Sequence, residues 1–254
     1  MIPRILGATI RQAAQKMPVV AVTGPRQSGK STLVRQIFPE HAYSNLEDME
    51  QRSFAKQDPK GFLKNLGAYG IIDEIQYTPD LLSYIQVTVD KEQLPGQYIL
   101  SGSQNLLLME QVAQSLAGRV SIFNLLPFSL EEIQHTPFAL QDYENYLLKG
   151  FYPRIYDRDL NATDWLLDYI QTYVERDLRQ VMNVGNLGAF RQFLEICAGR
   201  IGQLVNFSDI GSLIGISYQT VKQWISVLQT SFIIHLLRPY HQNFNKRIVK
   251  TPKL

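Results

Sequence analysis

Gly24-Pro25-Arg26-Gln27-Ser28-Gly29-Lys30-Ser31-Thr32 satisfies the spacing G-x-x-x-x-G-K-[ST] at every fixed position. Its flanks decide the fold. Pro18-Val19-Val20-Ala21-Val22-Thr23 before it is an apolar run suited to a buried strand, and residues 31–37 after it read as a helix. Strand, glycine loop and helix in that order make a phosphate cradle. The glycines let backbone N–H groups turn inward around a β-phosphate, and the helix N-terminus adds the positive end of its dipole. In such a loop Lys30 reaches the β/γ oxygens and the Ser31 hydroxyl ligates Mg²⁺, with Thr32 extending the hydroxyl pair. The nucleotide-binding segment is therefore expected to be Gly24, Pro25, Arg26, Gln27, Ser28, Gly29, Lys30, Ser31 and Thr32.

Working outward, Gly70-Ile71-Ile72-Asp73-Glu74-Ile75-Gln76 is an apolar strand that ends in two acids, 43 residues after Lys30. Asp73 is expected to hold Mg²⁺ and its water shell beside Ser31, and Glu74 to polarise an attacking water. The next strand ends in Ser101-Gly102-Ser103-Gln104-Asn105. A polar side chain there would face a γ-phosphate between the two motifs. Ser103 is the first choice, followed by Ser101 and Asn105, and Ser103 suits a helix N-cap equally well. Arg119 follows a helical pattern and opens a strand. It is a candidate to stabilise γ-phosphate charge, in cis or toward a neighbouring subunit, with a structural salt bridge as the alternative.

The 254 residues are 45% hydrophobic and 19% charged, which places the chain among globular proteins. Strands are expected at 19–23, 41–45, 70–73, 97–101 and 120–125, with helices at 30–37, 59–66, 79–90 and 105–117 between them. That alternation predicts an α/β fold: a P-loop NTPase core with a mainly parallel sheet, then a helical region and a winged helix-turn-helix. The expected domains are 1–155, a helical connector at 156–200, and 201–254. No apolar run approaches the roughly 20 residues of a membrane helix, and no signal-peptide core is visible. A single cysteine, Cys197, allows no disulfide within the chain, so a reducing cytoplasm is expected. His41, His135, His235 and His241 have no ligand spacing, and no zinc site is expected.

Net charge is +2 but unevenly spread: residues 199–254 carry +6 and the remainder −4. Within the basic end, Ser208-Asp209 can cap a helix over 210–214, Gly215 suits a left-handed turn, and Ser217 can cap a second helix over 218–229. That helix buries Val221, Trp224, Ile225 and Leu228 and exposes Tyr218, Gln219, Lys222, Gln223 and Ser226. Residues 232–237 read as β-like and 246–250 as a returning partner strand. Duplex DNA is a candidate partner of residues 217–226 and 246–253. Packing of the winged helix against the ATPase core, a protein partner or a second copy are the alternatives.

Taken together, Gly-Pro-Arg-Gln-x-Gly-Lys-Ser-Thr, Ile-Ile-Asp-Glu-Ile-Gln, Leu-Ser-Gly-Ser, Leu-Ala-Gly-Arg-Val and Leu-Leu-Pro-Phe-Ser-Leu-Glu-Glu (125–132) resemble the prokaryotic predicted ATPases of the AAA+ superfamily. These are archaeal-ATPase-like proteins with an appended C-terminal domain of unknown function. Gly150-Phe151-Tyr152-Pro153, Tyr173-Val174-Glu175-Arg176-Asp177-Leu178, Pro239-Tyr240 and Lys250-Thr251-Pro252-Lys253-Leu254 extend the likeness over nearly the whole chain. The resemblance implies an AAA-like ATP-binding core and a winged helix, with Lys30, Asp73 and Glu74 at the nucleotide, Arg26 also fitting the family loop, and MgATP as the ligand. It further implies an ATPase; a slow-turnover nucleotide switch of the signalling type, whose winged helix binds protein, is the alternative reading. The family usually continues past the Pro-Lys-Leu element into another α/β domain, whereas this sequence stops at Leu254, so a shortened form is expected.

Overall fold

In a computed structural model the chain packs as two compact units, Met1–Thr163 and Asp164–Leu254. The structure describes residues 2–103, 112, 114–173, 186–240 and 250–254. The first unit is built on five parallel strands: β1 (Val19–Gly24), β2 (Ala42–Asn45), β3 (Gly70–Asp73), β4 (Tyr98–Ser103) and β5 (Val120–Asn124). Their order across the sheet is β2-β3-β4-β1-β5. Every residue of β1 is buried, as expected of a central parallel strand covered on both faces.

The pleat divides the core in two. Val19 and Ala21 face a cluster with Phe62, Ile72, Leu82, Ile85 and Leu100. Val20 and Val22 face the opposite cluster with Ile10, Leu33, Val34, Ile71 and Ile99. The second cluster is roofed by α1 (Leu6–Ala14) and α2 (Lys30–Ile37); α4 (Pro59–Leu66) and α5 (Leu81–Glu92) cover the first. The element α3 (Met49–Gln57) starts on Asp48, whose carboxylate accepts from the Glu50 and Gln51 amides. Helix α4 has Asp58 as its cap and Pro59 in its first turn. Neither α1 nor α3 is among the elements expected from the sequence. Their apolar stripes are thin: only Ile10 and Ala14 of α1, and Ala55 of α3, are buried.

Register matters for the site. β1 pairs with β4 from Val19–Tyr98 to Gly24–Ser103, and with β5 from Val19–Val120 to Thr23–Asn124. β2 meets β3 through Asn45 and Asp73. The C-terminal ends of β1, β3 and β4 therefore share one edge, with β4 inserted between the strand of the glycine loop and that of the acid pair. Short helices α6 (Leu130–Gln134), α7 (Tyr143–Lys149) and α8 (Pro153–Asp157) follow β5.

Helix α9 (Ala162–Tyr169) runs across the boundary, and the second unit continues with α10 (Leu187–Gly199), α11 (Phe207–Ile214) and α12 (Tyr218–Thr230). Trp224 of α12 lies edge-on against Phe190 and Phe193 of α10, with centroids 5.2 Å apart in each case. Ser217 caps α12 through the Thr220 amide, and Gly215 is left-handed at φ 72°. The expectation for α11 needs correction. It begins at Phe207 under an Asn206 cap whose side chain accepts from the Asp209 amide, so Ser208 and Asp209 lie inside its first turn. Residues 232–236 are not in strand, and among the described residues the pairing expected over 232–237 is confined to Leu237, which exchanges two backbone hydrogen bonds with Lys253 at 2.9 Å each. Lys253 also bridges Leu204, and the Leu254 amide reaches the Gln203 carbonyl. Most of the expected helix over 105–117, residues 246–249 and residues 174–178 fall outside the described residues. No helix among the described residues is long and apolar enough to cross a membrane.

Candidate nucleotide site

The loop between β1 and α2 takes backbone conformations that few side chains permit. Gly24 sits at φ 146°, where a Cβ would lie 2.2 Å from the Leu125 carbonyl oxygen. Gly29 is left-handed at φ 91°, ψ 21° and hands directly into the first turn of α2, where the Leu33 amide donates to its carbonyl. Gln27 is left-handed too, at φ 64°. A loop so constrained is shaped before any ligand arrives.

Lys30, the first residue of α2, is buried and its ammonium turns back into the loop, donating to the carbonyls of Gly24 (3.1 Å) and Pro25 (2.8 Å). Burial lowers its pKa from 10.5 to about 8; Glu74 and Asp73 pull it partly back up, and Arg26 pushes it further down. A lysine so desolvated, whose ammonium hydrogen-bonds two neutral carbonyls, suits a strongly anionic ligand.

Asp73 ends β3 and is buried. Its Oδ1 accepts from the Ser101 hydroxyl (2.5 Å) and the Glu74 amide (3.1 Å), and its Oδ2 from the Tyr43 hydroxyl (2.7 Å). Three donors from three segments thus fix the carboxylate's orientation. Burial, and then the Asp73 carboxylate, push the Tyr43 phenol well above its ordinary value. The Arg35 guanidinium lies 4.8 Å above the Tyr43 ring. Glu74 occupies the left-handed region at φ 56°, ψ 43°, and its Oε2 accepts from the Gln76 side-chain Nε2. The chain turns there from β3 into a 3₁₀ turn over Ile75–Tyr77.

A cavity of about 670 Å³ opens on this edge. Its lining mixes the loop residues Gln27, Lys30, Ser31 and Thr32 and the acid Glu74 with the rings of Phe128, Phe138 and Tyr156. Arg4, Arg26, Arg154 and Arg158 outnumber Glu47, Glu74 and Asp157 in it, so it carries net positive charge. Such a lining accommodates a ligand that is anionic in one part and flat and apolar in another.

The expected residues thus converge, with exceptions. Gly24 to Thr32, Asp73 and Glu74 lie at one edge of the sheet. Ser103 is in register with Gly24 at that edge, and Asn105 is outside the described residues. Ser101, second choice as a contact for phosphate, instead donates to Asp73. Arg119 is not brought to the site. It precedes Val120, which pairs with Val19 at the N-terminal end of the sheet, roughly 16 Å along β5 from the loop. There it forks onto Asp90 through Nε and through Nη2 (2.9 Å). Arg119 thus takes part in a salt bridge at the far end of β5 from the glycine loop. Tyr43 was missed. It becomes a candidate only once β2 is known to lie beside β3.

The sheet order, the glycine loop on β1 and the acid pair on β3 together define a P-loop NTPase core. Within that class, residues 16–134 match the family described as AAA domain, and residues 140–254 match Domain of unknown function (DUF8612). The chain is therefore similar, half by half, to proteins that join an AAA domain to a C-terminal domain of unknown function. Across 256 residues it is 28% identical to uncharacterized proteins of Mycobacterium tuberculosis and Mycobacterium bovis, covering 99% of this chain and 56% of each relative. An uncharacterized protein of Haemophilus influenzae is 24% identical over 87% of this chain and 62% of its own length. The chain thus spans little more than half the length of these curated relatives. A Walker-type ATPase of Pyrococcus abyssi has the same fold over 100% of this chain and 93% of that one, with a TM-score of 0.59 and 14% identity.

Proposed function

We propose that this chain binds MgATP on the Gly24–Thr32 loop and hydrolyses it, and that the nucleotide state is passed to the second unit. The observation that carries the reading is the buried Lys30 ammonium. It lies in a loop of left-handed backbone, on the sheet edge that also carries the fixed carboxylate of Asp73. The residues fit the group they would hold. A phosphate oxygen is a stronger acceptor than the Gly24 and Pro25 carbonyls and compensates the buried charge. Magnesium, when bound, neutralises charge on the phosphate oxygens; the Ser31 hydroxyl and Asp73 would hold it. Lys30 steadies the β and γ oxygens, and the α2 N-terminus adds its dipole. Glu74 accepts a hydrogen bond from the attacking water and takes its proton. Ser103 would contact the γ-phosphate.

For the second unit we favour a winged helix that contacts duplex DNA. Tyr218, Gln219, Lys222, Gln223 and Ser226 all face solvent on α12. The pairing of Lys253 with both Leu204 and Leu237 is the kind of small sheet that flanks such a helix pair. The +6 charge of residues 199–254 favours a polyanion. Steady-state ATP hydrolysis with Mg²⁺, with and without duplex DNA, tests both halves in wild type and Glu74→Gln. Turnover that is lost in the variant and rises with DNA supports the whole reading. Turnover indifferent to DNA moves the second unit to a protein partner. Bound ATP with no turnover moves the chain to a nucleotide switch, and no binding overturns the proposal.

A further inference from the structure

Arg4 lies outside every motif used above, yet its guanidinium is engaged on all sides. Nε donates to both carboxylate oxygens of Glu132, at 3.1 and 3.2 Å. Nη1 donates to the Ser28 carbonyl (2.8 Å), and Nη2 to the carbonyls of Leu126 (2.5 Å) and Pro127 (3.2 Å). The Phe128 ring lies 4.9 Å from the guanidinium carbon. The Arg4 side chain is 9% exposed and that of Glu132 5%. Glu132 in turn accepts from the Ile5 amide (2.8 Å) and the Ser129 amide (3.0 Å), while the Ser129 hydroxyl caps α6 through the Glu132 amide. One buried ion pair joins the N-terminal segment, the crest of the glycine loop and the Pro127–Glu132 stretch, whose acidic end the nucleotide reading leaves without a task.

Burying both charges is unfavourable unless nearly every donor and acceptor is satisfied, and here they are. The planar fork of an arginine can reach a carboxylate and three carbonyls at once; the point charge of a lysine cannot. The effect on the loop follows from peptide geometry. A trans peptide is planar, with its C=O and N–H pointing in opposite directions. With the Ser28 carbonyl drawn to Arg4, the Gly29 N–H is turned away from Arg4. Gly29, at φ 91°, has no Cβ to prevent that peptide from flipping, so an external hold decides its orientation.

We propose that Arg4, anchored by Glu132, is a positioning residue for phosphate binding: it locks the Ser28–Gly29 peptide so that the Gly29 N–H is aimed at the bound β-phosphate. The proposal rests on the reading of the loop as a nucleotide site. It also gives the Pro-Phe-Ser-Leu-Glu-Glu stretch a task, since that stretch supplies the anchor and two of the carbonyls that orient the fork.

The test uses the full chain as wild type, Arg4→Met, Arg4→Lys and Glu132→Gln. Each is titrated with MgADP and, separately, with AMP, which lacks the β-phosphate. Gly29 is followed by its amide resonance in glycine-labelled protein. We expect Arg4→Met to weaken ADP on the order of tenfold and to change AMP by less than about twofold. The downfield move of the Gly29 amide on ADP addition should be lost. Arg4→Lys should not restore either. If Arg4→Met does not fold, Glu132→Gln should show the same split between ADP and AMP at smaller amplitude. Equal losses for ADP and AMP, or an unaltered Gly29 response in a folded variant, overturn the proposal. Wild type that binds no ADP overturns the nucleotide reading itself, and this inference with it.

Discussion

The two ends of one parallel sheet treat charge in opposite ways. At the C-terminal ends of β1, β3 and β4 the chain buries a lysine, an aspartate and a serine, and holds Glu74 in left-handed backbone. At the N-terminal end Arg119 and Asp90 form a fork-like pair in open solvent. Ideal geometry at the exposed end contributes little, because water and salt screen it. Awkward geometry at the buried end persists because the surrounding sheet over-determines it, and that is where strain collects in sites that act on ligands. If this contrast is right, substitutions at the first end should trade function against stability, and substitutions at the second should do neither.

The largest effect is expected at Lys30. Lys30→Met should weaken ADP binding by at least about a hundredfold, since the buried cation facing the phosphates is gone. Stability should move the other way. Burial lowers the folded pKa of Lys30 to about 8 from 10.5. Between those values the unfolded chain holds a proton that the folded chain has shed, so wild-type stability rises with pH across that window. Below pH 8 the desolvation penalty acts in full, at roughly 3 kcal/mol as an upper bound. Urea midpoints should therefore show Lys30→Met more stable than wild type at pH 7, with the gap closing by pH 10.5. A gap that does not change with pH would remove burial as the cause.

Tyr43→Phe sharpens the contrast one layer further out. It removes one of the two hydroxyls that hold Asp73 and leaves the ring under Arg35. The Mg²⁺-dependent part of ADP affinity should fall by about three- to tenfold, and affinity measured in a chelator should not move. Tightening in Mg²⁺ would mean instead that the phenol competes for the carboxylate.

Much of this end was legible in the sequence. The loop, β1, the start and end of α2 and α4, and the acid pair on β3 are local patterns whose spacing implies their backbone. The strand inserted between the two motifs was legible as well, because Gln97 to Leu100 follows the acid pair with room for a helix. The misses are of another kind. Tyr43 and Arg4 meet their partners across 30 and 128 residues of chain, and no periodicity carries that information. The capping box of Ser129 and Glu132 is local, but the ion pair that turns Glu132 inward depends on where the N-terminal segment lies. Arg119 misleads for the converse reason: an arginine before a strand is visible, and which end of the sheet it occupies is fixed only by the parallel register.

A smaller effect is expected from the backbone of Glu74. At φ 56° a side chain costs about 1–2 kcal/mol that a glycine avoids, although glycine returns part of this through the entropy of the unfolded chain. Glu74→Gly and Glu74→Gln should both lose turnover, and the glycine variant should be the more stable by about 0.5 kcal/mol in urea. Equal stabilities would mean that the left-handed turn carries no strain at this edge.

The least effect of all is expected from Arg119→Ala. The Asp90 carboxyl is held below its ordinary value by Arg119, so whatever the pair contributes is present above the carboxylate range and lost as the pH falls through it. Both side chains are open to solvent, and at 0.5 M salt the melting midpoint should match that of wild type. ATP turnover and ADP affinity should match as well, because the guanidinium lies at the far end of β5 from the loop. A hundredfold loss of turnover with unchanged ADP affinity would break the comparison in an informative way. Within one chain the sheet separates Arg119 from the phosphates, so such a loss would require the arginine to enter the site of a second copy. Turnover that rises steeply with protein concentration in wild type, and not in the variant, would then be its signature.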